Sequence, residues 1–372
     1  MLMRFAFALY RYFPHGGLQC DMLRMAQEAV RRGHTVDIFC HQWRGDIPPD
    51  MNIIPLSARG LTNQGKMASF GESFRMALAA RPAYDTVVTF NRIPGGNFYF
   101  AADNCLAAEW PQKHSALTLK LNPRYRKFLE MEAQVMAQEK CRIFYIVPRQ
   151  KEQYQQVYGV ADERFIYLPP GMNTACCRPE NASEIRLNMR RELNIADDEI
   201  VLIQVASNFL LKGVDRTLAA AASLPEEFRK KVKIVIVGAC KPGVCGKVAE
   251  RPELAGRVIF TGGRKDVPDF LQAADLMIHP ARSEATGTVI IESIAAGVPV
   301  VTSKECGFWN FAAEIDPALV IPQEFEQTAL NAAVLNALNN MDELKRKTIT
   351  YGAEADFCRR AGVAVDCMEE KR

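Results

Sequence analysis

The sequence lacks the features of a membrane-spanning or secreted protein. No apolar run approaches the ~20 residues that a helix needs to cross a bilayer. The first apolar stretch, residues 5–10, is too short for a secretory signal, and no small-residue cleavage site follows it. These absences predict a cytoplasmic protein.

Sequence motifs for binding metals are also missing. The eleven cysteines are scattered along the chain and form no C-x-x-C pair, and the chain contains no D-x-D signature. Zinc sites and disulfide frameworks need specific cysteine spacings. We therefore interpret the cysteines as small buried side chains in a reducing compartment, and we expect no metal and no other cofactor.

The N-terminal glycine pair does not form a dinucleotide-binding fingerprint. Gly16-Gly17 lacks the G-x-G-x-x-G spacing, and no acidic residue follows the second strand in the arrangement that binds a ribose. This absence disfavours a Rossmann oxidoreductase. A plain strand–helix turn and a backbone that lies close to a ligand remain alternative interpretations of these two glycines.

What the sequence does contain is two runs in which strands alternate with helices. The predicted strands are residues 4–10, 35–40, 86–90 and 143–147 in the first run, and 200–205, 233–237, 258–260, 276–279 and 298–302 in the second. This alternation predicts an α/β protein with two Rossmann-like, doubly wound parallel sheets. Residues 168–181 follow neither period and contain a Pro-Pro-Gly sequence, so we interpret them as a linker.

The linker divides the chain into two predicted domains. The N-terminal domain covers residues 1–168 and the C-terminal domain covers residues 169–355. Ligands of doubly wound sheets bind outside the carboxyl ends of the strands. We therefore expect the two domains to face a cleft that holds the ligand.

The most specific constellation is a glycine turn flanked by two glutamates. Thr286-Gly287-Thr288 follows the strand at residues 276–279 and opens a helix predicted over residues 289–296. A helix N-terminus presents free N–H groups and a positive dipole end to a phosphate. Glu292 on that helix is placed to accept from ribose hydroxyls, and Glu284 before it is placed to face a sugar. The alternative is a plain strand–loop–helix with solvated glutamates.

Lys212-Gly213 follows another predicted strand of the second sheet. A lysine in such a loop can neutralise a diphosphate as a point charge. Without a metal motif, a leaving diphosphate must be stabilised by fixed cations and amides. An ordinary surface lysine is the alternative interpretation.

Three further polar residues have weaker signals. Asp103 follows an apolar stretch, where a carboxylate suits either an anchor for an acceptor hydroxyl or a helix cap. His34 and His279 we interpret as structural, because the sequence places no acid or nucleophile to work with either of them.

A basic segment with interleaved aromatic residues lies in the first half of the chain. Residues 113–151 contain nine basic and three acidic residues, and residues 109–130 add Trp110, Tyr125 and Phe128. This pattern suits contact with an anionic membrane surface. A solvated basic face and a nucleic-acid surface are the alternatives, although no nucleic-acid-binding motif accompanies the segment.

The chain resembles the large family of retaining GT-B glycosyltransferases. Four features carry this resemblance: Glu284 and Glu292 with seven residues between them, Lys212-Gly213, Gly16-Gly17 and the Pro-Pro-Gly linker. Nearly the whole chain is similar to the glucosyltransferases of the lipopolysaccharide inner core. The motifs that carry this closer resemblance are YFPHGGLQ (residues 12–19), FNRIPG (90–95), YFAAD (99–103) and KGVDR (212–216).

The resemblance implies a donor site in the C-terminal domain. Glu292 would hold the ribose of a UDP-sugar, and Arg264 would flank its uracil. Lys212 and the amides of Gly287, Thr288 and Val289 would bind the diphosphate, Thr286 would belong to the same donor site, and Glu284 would contact the transferred glucose. No metal would be required.

The resemblance also implies roles in the N-terminal domain. Asp103 would face the acceptor as a catalytic carboxylate, and Asp21, Gly16 and Gly17 would lie near the donor. A final helix within residues 356–372 would cross back to this domain.

The sequence departs from the family pattern at a few positions. Ala206-Ser207 stands where many members have Gly-Arg, and Leu211 and Cys20 replace arginines of close relatives.

The activity that the resemblance implies is transfer of a hexose, glucose from UDP-glucose, onto a heptose of the lipopolysaccharide core. The enzyme would be a peripheral protein on the inner leaflet of the inner membrane. The alternatives are another UDP-sugar or acceptor, and a non-catalytic nucleotide-binding protein of the membrane surface.

Overall fold

The structure is a computed structural model that describes residues 2–14, 16–322 and 324–370. His15 of the YFPHGGLQ motif and the last two residues of the 356–372 segment lie outside the described residues. The chain forms two compact units. Unit 1 contains residues 1–171 and 359–372, and unit 2 contains residues 172–358.

The strands and helices follow in chain order. The strands are β1 Arg4–Tyr12, β2 Thr35–Trp43, β3 Asn52–Pro55, β4 Thr86–Thr89, β5 Phe98–Ala101, β6 Arg142–Tyr145, β7 Phe165–Tyr167, β8 Ile200–Val205, β9 Val232–Val237, β10 Val258–Gly262, β11 Leu276–His279, β12 Val300–Ser303 and β13 Val320–Ile321. The α-helices are α1 Gly17–Arg31, α2 Asn63–Ala79, α3 Leu106–Lys113, α4 Ala116–Leu121, α5 Pro123–Met136, α6 Pro148–Tyr158, α7 Ala182–Glu192, α8 Val214–Ala222, α9 Glu226–Arg229, α10 Gly243–Ala249, α11 Val267–Ala273, α12 Thr288–Ala295, α13 Trp309–Ile315, α14 Gln327–Asn339, α15 Met341–Glu354 and α16 Arg360–Glu369. Short 3-10 segments lie at Asp162–Arg164, Thr174–Cys176, Pro252–Leu254 and Pro317–Leu319.

Unit 1 is built on a seven-stranded parallel sheet in the order β3-β2-β1-β4-β5-β6-β7. Its interior strand β1 is apolar on both faces, because helices cover the sheet on each side. Phe5, Phe7 and Leu9 of that strand are completely buried. The sheet therefore supplies the core of unit 1, and its loops at the carboxyl ends of the strands carry Gly16 and Asp103.

The C-terminal helix α16 packs against α1 within unit 1. Arg32 at the end of α1 forms ion pairs with Asp366 and Glu369, at 2.6 Å and 2.9 Å. The Nη1 atom of Arg360 lies 2.8 Å from the Oδ2 atom of Asp21, and both side chains are buried. Breaking a buried pair of this kind leaves an uncompensated charge, so α16 is tied firmly to α1.

Unit 2 is built on a six-stranded parallel sheet in the order β10-β9-β8-β11-β12-β13. The buried carboxylate of Asp275, just before β11, accepts hydrogen bonds from Arg186, Arg190, Lys345 and the amide of Val201, at 2.5–2.7 Å. Burial opposes its ionisation, but the charges of Lys345 and Arg186 outweigh burial and lower the pKa of Asp275. This network fixes the start of the strand that leads to the candidate site.

The two parallel α/β sheets confirm the predicted fold class. Every predicted strand is present within a few residues of its predicted bounds. The strands β7 and β13 were not predicted, because segments of three and two residues are too short to show a period. The strands β3 and β5 were also missed, although they are as long as the predicted strands β4 and β6. No helix among the described residues has the length and apolar character needed to cross a membrane.

Candidate functional site

The predicted glycine turn lies at the carboxyl end of β11. Gly287 is the N-cap residue of α12 and has φ 78°, a left-handed conformation that favours glycine. A Cβ atom at this position would lie 3.1 Å from the side chain of Ile290 and 3.3 Å from that of Glu284. Because glycine has no side chain that can cap the helix, the first amides of α12 are presented as an anion-binding terminus.

Lys212 and Glu284 are brought together at this turn. The Nζ atom of Lys212 donates a hydrogen bond to the Oε2 atom of Glu284. The exposed fractions of the two side chains are 15% and 18%, so the pair is partly shielded but still open to solvent. A cation, a carboxylate and a helix N-terminus therefore meet in one place, which suits a ligand that carries both phosphate and sugar hydroxyls.

The loop that carries Lys212 is fastened to the loop after β11. Gly213 has φ 74°, and a Cβ atom there would lie 2.3 Å from the carbonyl oxygen of Pro280. The side chain of Gln204 donates to the carbonyl oxygen of Lys212 at 2.7 Å. The Arg282 guanidinium forms two hydrogen bonds with the Asp215 carboxylate, at 2.8 Å and 2.7 Å. These contacts hold the lysine loop in position before α8.

The ionisation of Glu284 depends on its two cationic or polar neighbours. Burial opposes ionisation, but the adjacent imidazole of His279 and the charge of Lys212 outweigh it and lower the pKa of Glu284 to about 2. The carboxylate is therefore charged at neutral pH and can accept hydrogen bonds from a ligand.

His279 has an acidic neighbour, so the sequence-based argument for a purely structural role was wrong. Its Nε2 atom lies 3.6 Å from the Oε2 atom of Glu284, and its side chain is 1% exposed. Neither ring nitrogen forms a hydrogen bond with the described residues. The two residues are five positions apart, and only the sharp turn after β11 brings their side chains together.

His34 in unit 1 also has an acidic neighbour that the sequence did not reveal. Its Nε2 atom lies 2.6 Å from the Oε1 atom of Glu369.

The remaining donor-site candidates of unit 2 are placed as follows. Thr288, Val289 and Glu292 lie half-buried in the first turns of α12, and the carbonyl oxygen of Thr286 accepts from the amide of Phe308 at 2.7 Å. Arg264 follows β10, where its guanidinium binds the carboxylates of Asp266 and Glu192 at 2.6 Å and 2.8 Å. The role of Arg264 beside a uracil stays a prediction, as do those of the residues on α12.

The candidates of unit 1 lie at the carboxyl ends of two of its strands. Gly16 is the N-cap residue of α1 and Gly17 its first residue. A Cβ atom at Gly16 would lie 1.9 Å from the Oε1 atom of Gln19, which is the far end of a flexible side chain and can move aside. Asp21, one turn into the same helix, is held by Arg360 as described above.

Asp103 projects from the loop between β5 and α3. Its side chain is exposed, and the N-cap residue of α3 is Cys105, which disfavours the interpretation of Asp103 as a helix cap. The Nη1 atom of Arg92 lies 3.5 Å from its carboxylate. Arg92 is in turn bound at 2.9 Å by Glu132, which is completely buried and also accepts from the first amides of α3. Sequence reasoning missed this support, because Glu132 is 29 positions away from Asp103 in the sequence.

Comparisons with known proteins show what the whole chain is similar to. Residues 185–355 match the family model described as glycosyl transferases group 1. The chain is 37% identical over 334 residues to the lipopolysaccharide glucosyltransferase WaaG of Escherichia coli (strain K12), covering 90% of this chain and 89% of that protein. It is 26% identical to the D-inositol 3-phosphate glycosyltransferase of Acidothermus cellulolyticus, covering 96% of this chain and 87% of the relative.

Solved structures show the same fold. The crystal structure of WaaG, a glycosyltransferase involved in lipopolysaccharide biosynthesis, aligns with a TM-score of 0.90 at 35% identity, covering 99% of this chain and 100% of that one. Anabaena Alr3699/HepE, solved in complex with UDP and glucose, aligns with a TM-score of 0.74 at 16% identity, with 98% of both chains covered. The second likeness concerns the fold alone.

We predict that Lys212 and Glu284 are energetically coupled. In a double-mutant cycle of Lys212→Met and Glu284→Gln, the coupling free energy of unfolding should be about 1–3 kcal/mol at pH 7, because each partner is partly buried. Since the folded-state pKa of Glu284 lies below its unfolded value, the coupling should be complete above about pH 4.5 and fall as the pH drops toward 2. Urea unfolding of the four proteins measures it.

The exposed pair of Glu226, the first residue of α9, and Lys230, which follows that helix, is the matched control for this cycle. Its substitution by Gln and Met should give a much smaller coupling, because exposed ion pairs are screened by solvent. Additive effects of Lys212→Met and Glu284→Gln at pH 7 would contradict the coupling that we infer.

Proposed function

This chain belongs to the group 1 glycosyltransferases, and on that premise we propose that it transfers glucose from UDP-glucose to a heptose of the lipopolysaccharide inner core. We further propose that transfer retains the configuration of the anomeric carbon, requires no metal ion, and takes place at the cytoplasmic face of the inner membrane. The 37% identity to WaaG over 90% of the chain carries the choice of donor and acceptor.

The geometry of unit 2 supports the donor half of this proposal. The diphosphate would lie at the N-terminus of α12, where the amides of Gly287, Thr288 and Val289 and the ammonium of Lys212 provide positive charge. Glu284 would accept hydrogen bonds from the hydroxyls of the transferred sugar. Glu292, further along α12, would accept from the ribose, and Arg264 would flank the uracil.

The chemistry that this arrangement suits is departure of UDP from the anomeric carbon. Negative charge develops on the β-phosphate as the glycosidic bond breaks, and preorganised amides with a fixed cation stabilise that charge. The acceptor hydroxyl would attack from the face that the UDP leaves, which retains the configuration. Lys212 and Glu284 are the proposed catalytic residues of unit 2.

The acceptor half of the proposal rests on unit 1. Asp103 is an exposed carboxylate whose loop is held by Arg92 and Glu132, so it is presented to solvent from a rigid support. We propose that it faces the acceptor as a catalytic carboxylate. Gly16, Gly17 and Asp21 at the start of α1 would lie near the donor sugar.

The proposal includes no resident cofactor, because the UDP-sugar is a substrate. Within the described ranges, no three His, Cys, Asp or Glu side chains are grouped so that they could hold a metal ion. Lys212 and the amides of α12 are the groups to which we assign the stabilisation of the diphosphate.

Membrane contact is proposed for α4 and its surroundings. Leu117 and Leu121 on this helix are 66% and 65% exposed, and Lys120 lies between them. Trp110 and Tyr125 stack edge to face on the neighbouring helices, with ring centroids 4.8 Å apart. Exposed leucines beside lysines suit the interface of an anionic bilayer. The inner leaflet of the inner membrane, where the glycolipid acceptor would be presented, is the proposed location.

Two alternatives remain within reach of experiment. The departures at Ala206, Ser207 and Leu211 lie in or beside the lysine loop and favour testing other UDP-sugars and other acceptors. The exposed leucines of α4 are also the observation behind a second candidate function, a non-catalytic protein that binds a nucleotide at the membrane surface. Transfer of sugar by the purified protein distinguishes this candidate from the glycosyltransferase.

We predict that Lys212→Ala lowers kcat by at least about hundredfold, because the leaving diphosphate loses its fixed cation. The measurement is transfer of labelled glucose from UDP-glucose to a heptosylated lipid acceptor. Lys230→Ala, which removes an exposed lysine just after α9, is the matched control and should keep wild-type activity.

A near-normal rate in Lys212→Ala would reject the assigned site. We expect the wild type to transfer glucose in the presence of excess EDTA. We also expect NMR of the product to show an α-linkage. Loss of transfer in EDTA would refute the metal-independent part of the proposal, and a β-linked product would refute retention.

We predict that replacing Leu117 and Leu121 together by Ser weakens binding to anionic vesicles at least tenfold. Burying each leucine side chain contributes about 1.5–3 kcal/mol. Co-flotation with anionic phospholipid vesicles measures the change. Leu61→Ser is the matched control, since Leu61 is a fully exposed leucine elsewhere in unit 1. Equal flotation of the double variant and the wild type would remove α4 from the proposed membrane surface.

A further inference from the structure

His279 is a buried histidine whose ring nitrogens have no hydrogen-bond partner among the described residues. The ring lies next to Glu284, and its Nε2 atom is 3.6 Å from the Oε2 atom of that carboxylate. Buried polar atoms in native proteins nearly always have a partner. An unsatisfied imidazole next to a carboxylate of the candidate site therefore points to a state in which the two groups do form a hydrogen bond.

The groups that face His279 come from several elements. Glu284 approaches from the loop after β11, and Lys212 reaches the same carboxylate from the loop before α8. The Cys306 thiol and the Thr302 hydroxyl both donate to the carbonyl oxygen of His279, at 3.6 Å and 3.0 Å. The side chain of Arg216 binds the carbonyl oxygen of the next residue, Pro280, at 3.2 Å.

These surroundings leave Glu284 as the charged group closest to the imidazole. Lys212 and Arg216 carry positive charge, and the Cys306 thiol is kept neutral because burial raises its pKa. How far Lys212 compensates the negative charge of Glu284 therefore decides how negative the surroundings of the imidazole are.

Binding of a UDP-sugar changes that balance. Lys212 and Glu284 together carry no net charge, whereas the diphosphate of a UDP-sugar adds two negative charges beside them. The ammonium of Lys212 must then interact with the diphosphate, either instead of Glu284 or in addition to it. In both cases the surroundings of His279 become more negative, and nearby negative charge favours the protonated imidazole.

We propose that His279 takes up a proton when the donor binds. The resulting imidazolium donates a hydrogen bond to the Glu284 carboxylate while Lys212 binds the diphosphate. This inference rests on the proposed function, because it requires a UDP-sugar at the N-terminus of α12. The proton comes from solvent, and no covalent bond is made or broken. His279 is therefore a positioning residue that acts through Glu284.

The proposal has a thermodynamic consequence. If the donor-bound protein holds one more proton than the free protein, donor affinity must decrease as the pH rises. We therefore expect the KM for UDP-glucose to increase in the wild type as the pH is raised from about 6 to about 8, the range in which histidines in general change charge. The pH dependence of this KM should be lost in His279→Gln, whose amide can still donate a hydrogen bond to Glu284.

Calorimetry measures the proton directly. UDP-glucose is titrated into the protein without acceptor, in buffers of low and high ionisation enthalpy at the same pH near neutrality. UDP-glucose is the suitable probe, because the terminal phosphate of UDP itself titrates in this range. The wild type should show a buffer-dependent enthalpy that corresponds to uptake of up to one proton per bound donor.

Two variants make the calorimetric result specific. His279→Gln should bind UDP-glucose with no buffer dependence. His114→Gln, which changes a half-buried histidine of unit 1 at the end of α3, should keep the wild-type uptake. Equal proton uptake in His279→Gln and the wild type would overturn the proposal.

NMR of the wild type keeps the proposal testable if His279→Gln does not fold. The chain has five histidines, so the imidazole signals can be assigned by substituting the other four. The ring signals of His279 should shift to imidazolium values on addition of UDP-glucose. Binding without uptake and a neutral His279 ring would refute the inference alone, whereas no binding of UDP-glucose would refute the proposed function.

Discussion

The ion pair between Lys212 and Glu284 at the N-terminus of α12 is the interaction on which the account of this protein depends. It joins two loops of unit 2 that are 72 residues apart in the sequence and brings a cation, a carboxylate and free helix amides to one point. The glycines at 213 and 287 make this approach possible, because a side chain at either position would meet a neighbouring loop or side chain. The same charges that would bind a UDP-sugar thus also hold these two loops together.

Most strands of the two sheets could be predicted because they lie in apolar runs between segments of helical or turn-forming sequence. The strand that ends at His279 and the helix that begins at Thr288 agree with their predicted positions within one residue, since Gly287 marks the turn between them. The strand at 320–321 was missed, because a two-residue segment is recognised only by its pairing in the sheet. The strands at 52–55 and 98–101 were missed although they are as long as the strand at 276–279.

The pairings of the site could not be predicted in the same way. Lys212 and Glu284 were both identified as candidates, but nothing in the sequence indicates that they bind each other. Asp21 is held by Arg360, 339 residues away, and the loop of Asp103 depends on Glu132 through Arg92. His279 was set aside because no acid was expected near it. Each of these contacts is produced by the tertiary fold, and single-sequence patterns carry no information about it.

We have proposed that the diphosphate of a UDP-sugar binds at the N-terminus of α12, and a crystal structure of the protein with bound UDP-glucose is the decisive measurement. We expect phosphate oxygens within about 3 Å of the amide of Thr288 and of the Nζ atom of Lys212, with the sugar beside Glu284. A diphosphate bound elsewhere, with Lys212 still paired only with Glu284, would refute this donor site.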